Sequence, residues 1–576
     1  MNNGYQAIAD EYFDLIASDS NQCVFLGIDK NLDSLPDPSE ERIRGTAEKC
    51  RRLLEKIDRT DTDNLTFDEK LDLKIAGLAV GFLLNKNTRL CNGRPEYQQL
   101  PLAGEEITYG IFCIFINDPR PASIRLNDIL GRVRDIPQYL VKYADRLEKP
   151  VERWAKIDLE MVGEIPGFLK TLKNWGEKEG YPKLKELERA IERAETSIGD
   201  YMRILEAMPK TNEFAVGYEE MCRIIRLRGI RQTPEELRLM AARFIGETKE
   251  QLDAITARLV AKYSLPESSD HKNVHRFLNE KFRVSLKEGA IESVLDRYQV
   301  HKERILEFVQ SRELFPIPKS QDMQVIRTPP FMEPTLPAGA MMPPPPFREG
   351  KRVSTIYLTL KEDQLDEHTE LGIPIMMIHE GIPGHHLHLA TAGQNRSLFR
   401  KTFDAADQAE GWATMLEDYM LDVGYMEELK EECRFSAKRE ISRLAARVAI
   451  DLYFMSGEIE YLDIGLGLRY DSDDVFANAA KLLKEVTGFT DGRVQAELNW
   501  YSYERGYPLS YLTGNRLVWE LKNDLTAAQK GKMERLELDR TFHRIFLEAG
   551  NVPVALLREL FEHKGLLSSD VDRSEE

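Results

Sequence analysis

"IMMIHEGIPGHHLHLATAG", Ile375 to Gly393, holds four of the ten histidines in a chain of 576 residues. His379-Glu380 opens like H-E-x-x-H, the signature in which one helix face carries two zinc-binding histidines a turn apart, with the glutamate beside the open coordination position. Position 383, where the second histidine should stand, is proline. On a straight helix His385 would lie about 120° round from His379, and His386 about 20°. Spacing alone therefore nominates His386. Yet the helix cannot be straight, because Pro383 lacks an N–H and clashes with the preceding turn, and Gly384 loosens the backbone. A two-residue bulge would bring His385 into the missing position. On the residues alone both assignments stand, with His388 outside the ligand set. Four histidines and a glutamate behind the apolar run "LGIPIMMI" (371–378) are costly to bury unless they bond to something, and a metal ion suits that set.

Zinc usually takes a carboxylate beside its imidazoles and keeps one position for water. "DAADQAEGWATMLEDYM" (404–420) supplies Glu410 about 25 residues past His385. It stands among Ala405, Ala406, Ala409, Gly411 and Trp412, a packed setting. Asp407, one turn earlier, is the expected acceptor orienting a ligand histidine. Glu417, with Asp418 beside it, is expected to face water.

Around this centre the pattern is helical. "SEERIRGTAEKCRRLLEKID" (39–58) and "PKLKELERAIERAETSIGDYMRILEAM" (182–208) repeat apolar residues at three- and four-residue steps. Thr233-Pro234-Glu235-Glu236 and Thr66 with Glu69 read as capping boxes. Downstream, 402–421 and 431–457 read as long amphipathic helices, with Gly457 as a C-cap. Ten of the 27 prolines fall between 316 and 346, which excludes helix there and predicts a linker or strap. "RVSTIYLTL" (352–360) alternates as a strand does. An edge strand beside a metal helix binds extended substrate by backbone pairing, and that role is expected for 353–360. The fold expected is mainly α: a large helical, two-lobed, metallopeptidase-like chain with a small β element next to the metal helix. Its parts are a helical N-terminal lobe over 1–313, a proline-rich strap over 314–350, and a catalytic-like lobe over 351–576.

Composition narrows the partners. Net charge −18, without a basic block, argues against nucleic acid. Apolar runs such as "IAGLAVGFLL" (75–84) are too short to span a bilayer, so no membrane is expected as a partner. The first residues, "MNNGYQAIADEYFDLIASD", carry neither a basic nor an apolar leader segment, and the six cysteines lack C-x-x-C spacing. A cytoplasmic protein with reduced thiols is expected.

Four blocks, "HEGIPGHHLHLA" (379–390), "AEGWATMLEDYM" (409–420), "GYPLSYLTGN" (506–515) and "FHRIFLEAGNVPVALLREL" (542–560), together resemble the bacterial domain-of-unknown-function 885 family. Its members are regarded as zinc peptidases with a helical fold similar to gluzincin-type enzymes such as angiotensin-converting enzyme. The resemblance covers about 325–562 well; the N-terminal half matches in fragments such as "CVFLGID" (23–29). The family's H-E-x-x-P-G-H falls on His379, Glu380, Pro383, Gly384 and His385, which turns the choice of second ligand to His385. Its E-G-W falls on Glu410, Gly411 and Trp412. The resemblance thus implies one Zn2+ per chain held by His379, His385 and Glu410. It implies Glu380 as general base and proton shuttle, and Tyr511 and His543 as groups stabilising a tetrahedral oxyanion. His388 departs from the family pattern, where glutamine is frequent. The expected function is a zinc-dependent hydrolase, a metallopeptidase acting on short peptides. The alternatives are an amidohydrolase of a small metabolite, sharing the same metal site, and a non-catalytic binding protein, against which the retained Glu380 argues.

Overall fold

The computed structural model describes residues 3–329, 339–360, 365 and 368–568, and its secondary structure is mainly helical, as expected. The local signals hold where they were strongest. Thr66 and Thr233 each close a capping box, with Glu69 and Glu236 reaching back to the cap. Gly457 ends its helix in the left-handed conformation at φ 82°.

The chain forms two compact units. The first comprises Met1–Glu220 with the short returns Pro345–Glu349 and Ser397–Thr402; the second comprises Met221–Pro344, Gly350–Arg396 and Phe403–Glu576. The division therefore falls near residue 220 and not at 313. Its physical reason is packing: the helices Pro234–Tyr263 and Ser293–Ser311 lie against the helices Arg443–Ser456 and Gly372–Glu380 of the unit that carries the histidines. Within the first unit the return at 397–402 is held by Arg400, whose Nε donates to Asp72 Oδ1 at 2.6 Å and whose Nη2 donates to Asp68 Oδ1 at 2.8 Å. A two-residue hairpin, β1 (Leu90–Cys91) with β2 (Arg94–Pro95), completes its secondary structure.

The second unit contains a three-stranded sheet of β3 (Gln321–Arg327), β4 (Gly339–Met342) and β5 (Arg352–Leu358), in the order β3-β5-β4. β5 pairs parallel with β3, Gln321 opposite Arg352, and antiparallel with β4, Gly339 opposite Leu358. The strand expected at an edge is thus the central one. Over Thr355–Leu358 it is bonded on both backbone edges, which leaves those residues no edge for an incoming substrate. The stretch expected as a strap instead contributes two of the three strands, while 330–338 lies outside the described residues.

Two helices differ from their amphipathic reading. The stretch 402–421 breaks at 403–405, giving Leu398–Thr402 and Ala406–Asp422. The stretch 431–457 divides at Ser442, and every residue of its second part from Leu444 to Met455 is buried. A helix apolar nearly all round belongs inside a core, and this one carries the buried charges Arg447 and Asp451.

Ser293–Ser311, which backs the first histidine helix, contains His301, 3% exposed. Burial lowers its pKa from 6.5 to about 4, with Arg297 and Arg304 adding to the effect against Glu370. Between these values the unfolded chain binds the proton and the folded one does not, so acidification destabilises. We predict a stability loss of about 3 kcal/mol from this group as pH falls from 6.5 to 4. Denaturant titrations across that window should show the pH dependence flattened in His301→Leu.

Candidate metal centre

The motif is neither a straight helix nor a bulged one; it is two helices. Gly372–Glu380 ends at the glutamate, and His385–Ala392 begins at the second histidine. Between them the chain turns through a cis Ile382–Pro383 peptide. Gly384 permits the turn by close approach: a Cβ there would lie 1.9 Å from the His379 carbonyl oxygen and 2.3 Å from that of Ile378. The Pro383 carbonyl, left without a helical partner, accepts a 2.9 Å hydrogen bond from Trp412 Nε1. The outcome is that the rings of His379 and His385 meet at 4.8 Å, nearly perpendicular at 88°. Helical arithmetic failed because the helix it assumed stops at 380.

Glu410 joins them from the helix Ala406–Asp422. Its Oε2 lies 3.7 Å from His379 Nε2 and 3.4 Å from His385 Nε2. Each of the three residues offers a ligand atom within 4.8 Å of the others, and they are the metal-competent group found among the described residues. Ligand atoms about 2.0–2.1 Å from a tetrahedral zinc lie about 3.4 Å apart, so the donor set fits. A further observation agrees. Glu410 Oε2 is buried with no hydrogen-bond partner among the described residues, a state that costs free energy unless a cation meets it. His379 Nδ1–H donates to Glu417 Oε1 at 2.8 Å, which fixes the tautomer and leaves Nε2 turned toward Glu410. Burial alone would lower the pKa of His379, but the neighbouring carboxylates of Glu410, Glu417 and Glu380 push it up to about 10. Glu410 goes the other way, held far below the carboxylate range because the two histidines outweigh its burial.

The remaining histidines have other duties. His386 joins helix to sheet: its Nε2–H donates to Gln321 Oε1, and Nδ1 accepts from the Ser354 hydroxyl, both at 2.6 Å. His388 is buried against Phe546, close to Gln408. Neither belongs to the ligand group.

Glu380 is half-buried at the helix end, its charge near enough to raise both His379 and Tyr511. Tyr511 lies beside Glu410 in the first turn of the helix Ser510–Ala528, its ring covered by the Arg447 guanidinium at 4.2 Å. The structure therefore brings Tyr511 to the ligand group, but not His543. That ring is wholly buried, stacked on Phe315 at 4.3 Å and edged by Trp412 and Tyr419, with Nδ1–H bonded to the Leu314 carbonyl at 2.9 Å. Enclosed by aromatic rings, it sits in the core, with its Nε2 left without a hydrogen-bond partner among the described residues. Glu417 takes the place expected of Asp407, and both are buried. Asp407 Oδ2 accepts from the Val554 amide at 2.9 Å, capping another helix, while Glu417 orients His379. The signal for Glu417 was present: seven residues past Glu410, it lies about 20° round the same helix face.

Glycines bring these helices together. A Cβ on Gly411 would meet the Gly514 carbonyl carbon at 2.4 Å, and one on Gly514 would meet the Asp407 oxygen at 2.0 Å. Ala406–Asp422 and Ser510–Ala528 thus cross backbone to backbone, which sets Glu410 beside Tyr511. Gly514→Ala should force them apart, costing about 1–3 kcal/mol in denaturant unfolding.

A mainly helical protein with a buried two-histidine, one-glutamate constellation is what the coordinates define. The chain belongs to the bacterial proteins of unknown function designated DUF885, whose family model matches residues 21–561. The match extends the resemblance well into the N-terminal half. The fold is similar to two solved structures. One is a candidate lipoprotein of unknown function from Shewanella oneidensis, with TM-score 0.73 and 18% identity over 97% of this chain and 98% of that one. The other is a candidate lipoprotein from Colwellia psychrerythraea, with TM-score 0.77 and 16% identity over 98% of this chain and 99% of that one. The comparison with curated proteins gave no match.

Proposed function

We propose that this protein is a zinc metallopeptidase acting on short peptides, with one Zn2+ per chain held by His379, His385 and Glu410. The observation that carries the reading is the Glu410 oxygen buried between two imidazole nitrogens with no hydrogen-bond partner among the described residues. Glu380 adds to it, because a structural metal site has no need of a carboxylate beside the ligands.

When bound, zinc supplies Lewis acidity to a carbonyl and lowers the pKa of water. The protein's own groups then divide the work. Glu380, half-buried at its helix end, takes the proton of the attacking water and passes it to the leaving amine. Tyr511 offers its hydroxyl to the oxygen that gains charge, while Glu417 keeps His379 in the tautomer that presents Nε2. The substrate is a peptide or another small amide.

The six free cysteines, five of them buried, favour a reducing compartment, and we place the protein in the cytoplasm. Among the described residues no helix is long and apolar enough to cross a membrane. The descriptions of the two structural neighbours as candidate lipoproteins favour the cell envelope instead. Cell fractionation separates the two: recovery with the envelope would overturn the cytoplasmic assignment.

Mass spectrometry on untagged protein should find close to one zinc per chain, lost in His385→Ala. Glu380→Gln should keep the metal while losing about 10²–10⁴-fold in peptide turnover. A wild type without zinc after reconstitution would make the histidine cluster structural and end the peptidase reading.

A further inference from the structure

One group touches the ligand carboxylate from outside the expected set. Tyr507 donates its hydroxyl hydrogen to Glu410 Oε1 at 3.0 Å. The other oxygen, Oε2, is the one nearest both imidazoles, and it has no hydrogen-bond partner among the described residues. The two oxygens of one carboxylate are therefore in different states, one engaged by a phenol and one left for a cation. Resting on the zinc reading above, we propose that Tyr507 is a positioning residue that commits Glu410 to hold the metal through Oε2 alone.

The tyrosine is itself held from several sides. Its ring packs against Trp500 at 5.5 Å and Tyr511 at 5.9 Å, with the Arg228 guanidinium 5.4 Å from its centroid. The loop bearing it is fixed by buried Asp451, which accepts from the amides of Gly506 at 3.2 Å and Leu509 at 3.1 Å. Arg228 ties the same loop through the Arg505 carbonyl at 3.3 Å. A hydroxyl so placed cannot follow Glu410 if the carboxylate rotates to offer both oxygens. Rotation would break a hydrogen bond to a charged group in a buried site, where such bonds are strongest. The consequence is a three-donor site that keeps a coordination position open, as metal-dependent hydrolysis needs and a closed structural site does not.

The test uses the whole chain, with zinc or cobalt as the probe. Tyr507→Phe removes one oxygen and leaves the ring packing. It should weaken zinc binding by about 10-fold or more in a chelator competition, the range for losing a partner of a ligand. Its cobalt form should show a weaker visible band, because a second carboxylate oxygen raises the coordination number. In a Glu410→Gln background the same change should have little further effect. Unchanged affinity and an unchanged cobalt spectrum in Tyr507→Phe would overturn the proposal. Should that variant fail to fold, X-ray absorption on the zinc-loaded wild type decides: one carboxylate oxygen at bonding distance supports the assignment, and two overturn it. A wild type that binds neither metal removes the zinc reading itself, an outcome distinct from a metal-binding wild type indifferent to Tyr507.

Discussion

A carboxylate taken out of water must meet positive charge, and Glu410, 4% exposed, is such a carboxylate. Most of what surrounds it answers that requirement. Two imidazoles present their Nε2 atoms to it, and one of them is made more basic by a second buried carboxylate, Glu417. The second unit can be read outward from this point, as layers of groups that fix where the charge sits.

The frame around it is built from unusually close backbones. Gly411 and Gly514 let two helices cross with no side chain between them, so a small rotation of either would move a ligand or a neighbouring tyrosine. Trp412, next along the chain, closes the turn between the two histidine helices through the Pro383 carbonyl. Behind them runs the helix Arg443–Ser456, buried from Leu444 to Met455. Its Arg447 lies over the Tyr511 ring and its Asp451 holds the loop of Tyr507. Charged residues inside such a helix are costly, and here each supports a tyrosine that lies beside Glu410.

Much of this was legible in the sequence, and the failures share a cause. Capping boxes at Thr66 and Thr233 are set by residues three apart, so they were read correctly from the chain alone. Glu380 and Glu410 were found because the chemistry demands a carboxylate near the imidazoles. His385 was chosen over His386 only through resemblance, since spacing presumes a helix that Gly384 and Pro383 in fact interrupt. His543 sits in a motif with the right residue type, but its aromatic enclosure is a tertiary fact that no local pattern carries. Strand 352–358 looked like an edge because its two neighbours lie in proline-rich sequence that suppresses a strand reading. Glu417, and not Asp407, orients His379 because it shares the helix face of Glu410, which its acidic neighbour Asp418 does not reveal.

The departure from H-E-x-x-H also has a chemical lesson. What the site needs is two imidazole nitrogens on the same side as a carboxylate, a geometric condition that spacing satisfies only while the backbone stays regular. Here two extra residues, proline and glycine, end one helix and start another, and the second helix brings His385 where a continuous one would have brought His386. The residue displaced from the ligand set is not idle: bonded to Gln321 and Ser354, His386 ties the second helix to β3 and β5. A continuous helix would have turned His386 to the side of His379 and away from Gln321 and Ser354. The break in the motif is therefore what allows neighbouring histidines to serve the candidate site and the fold separately.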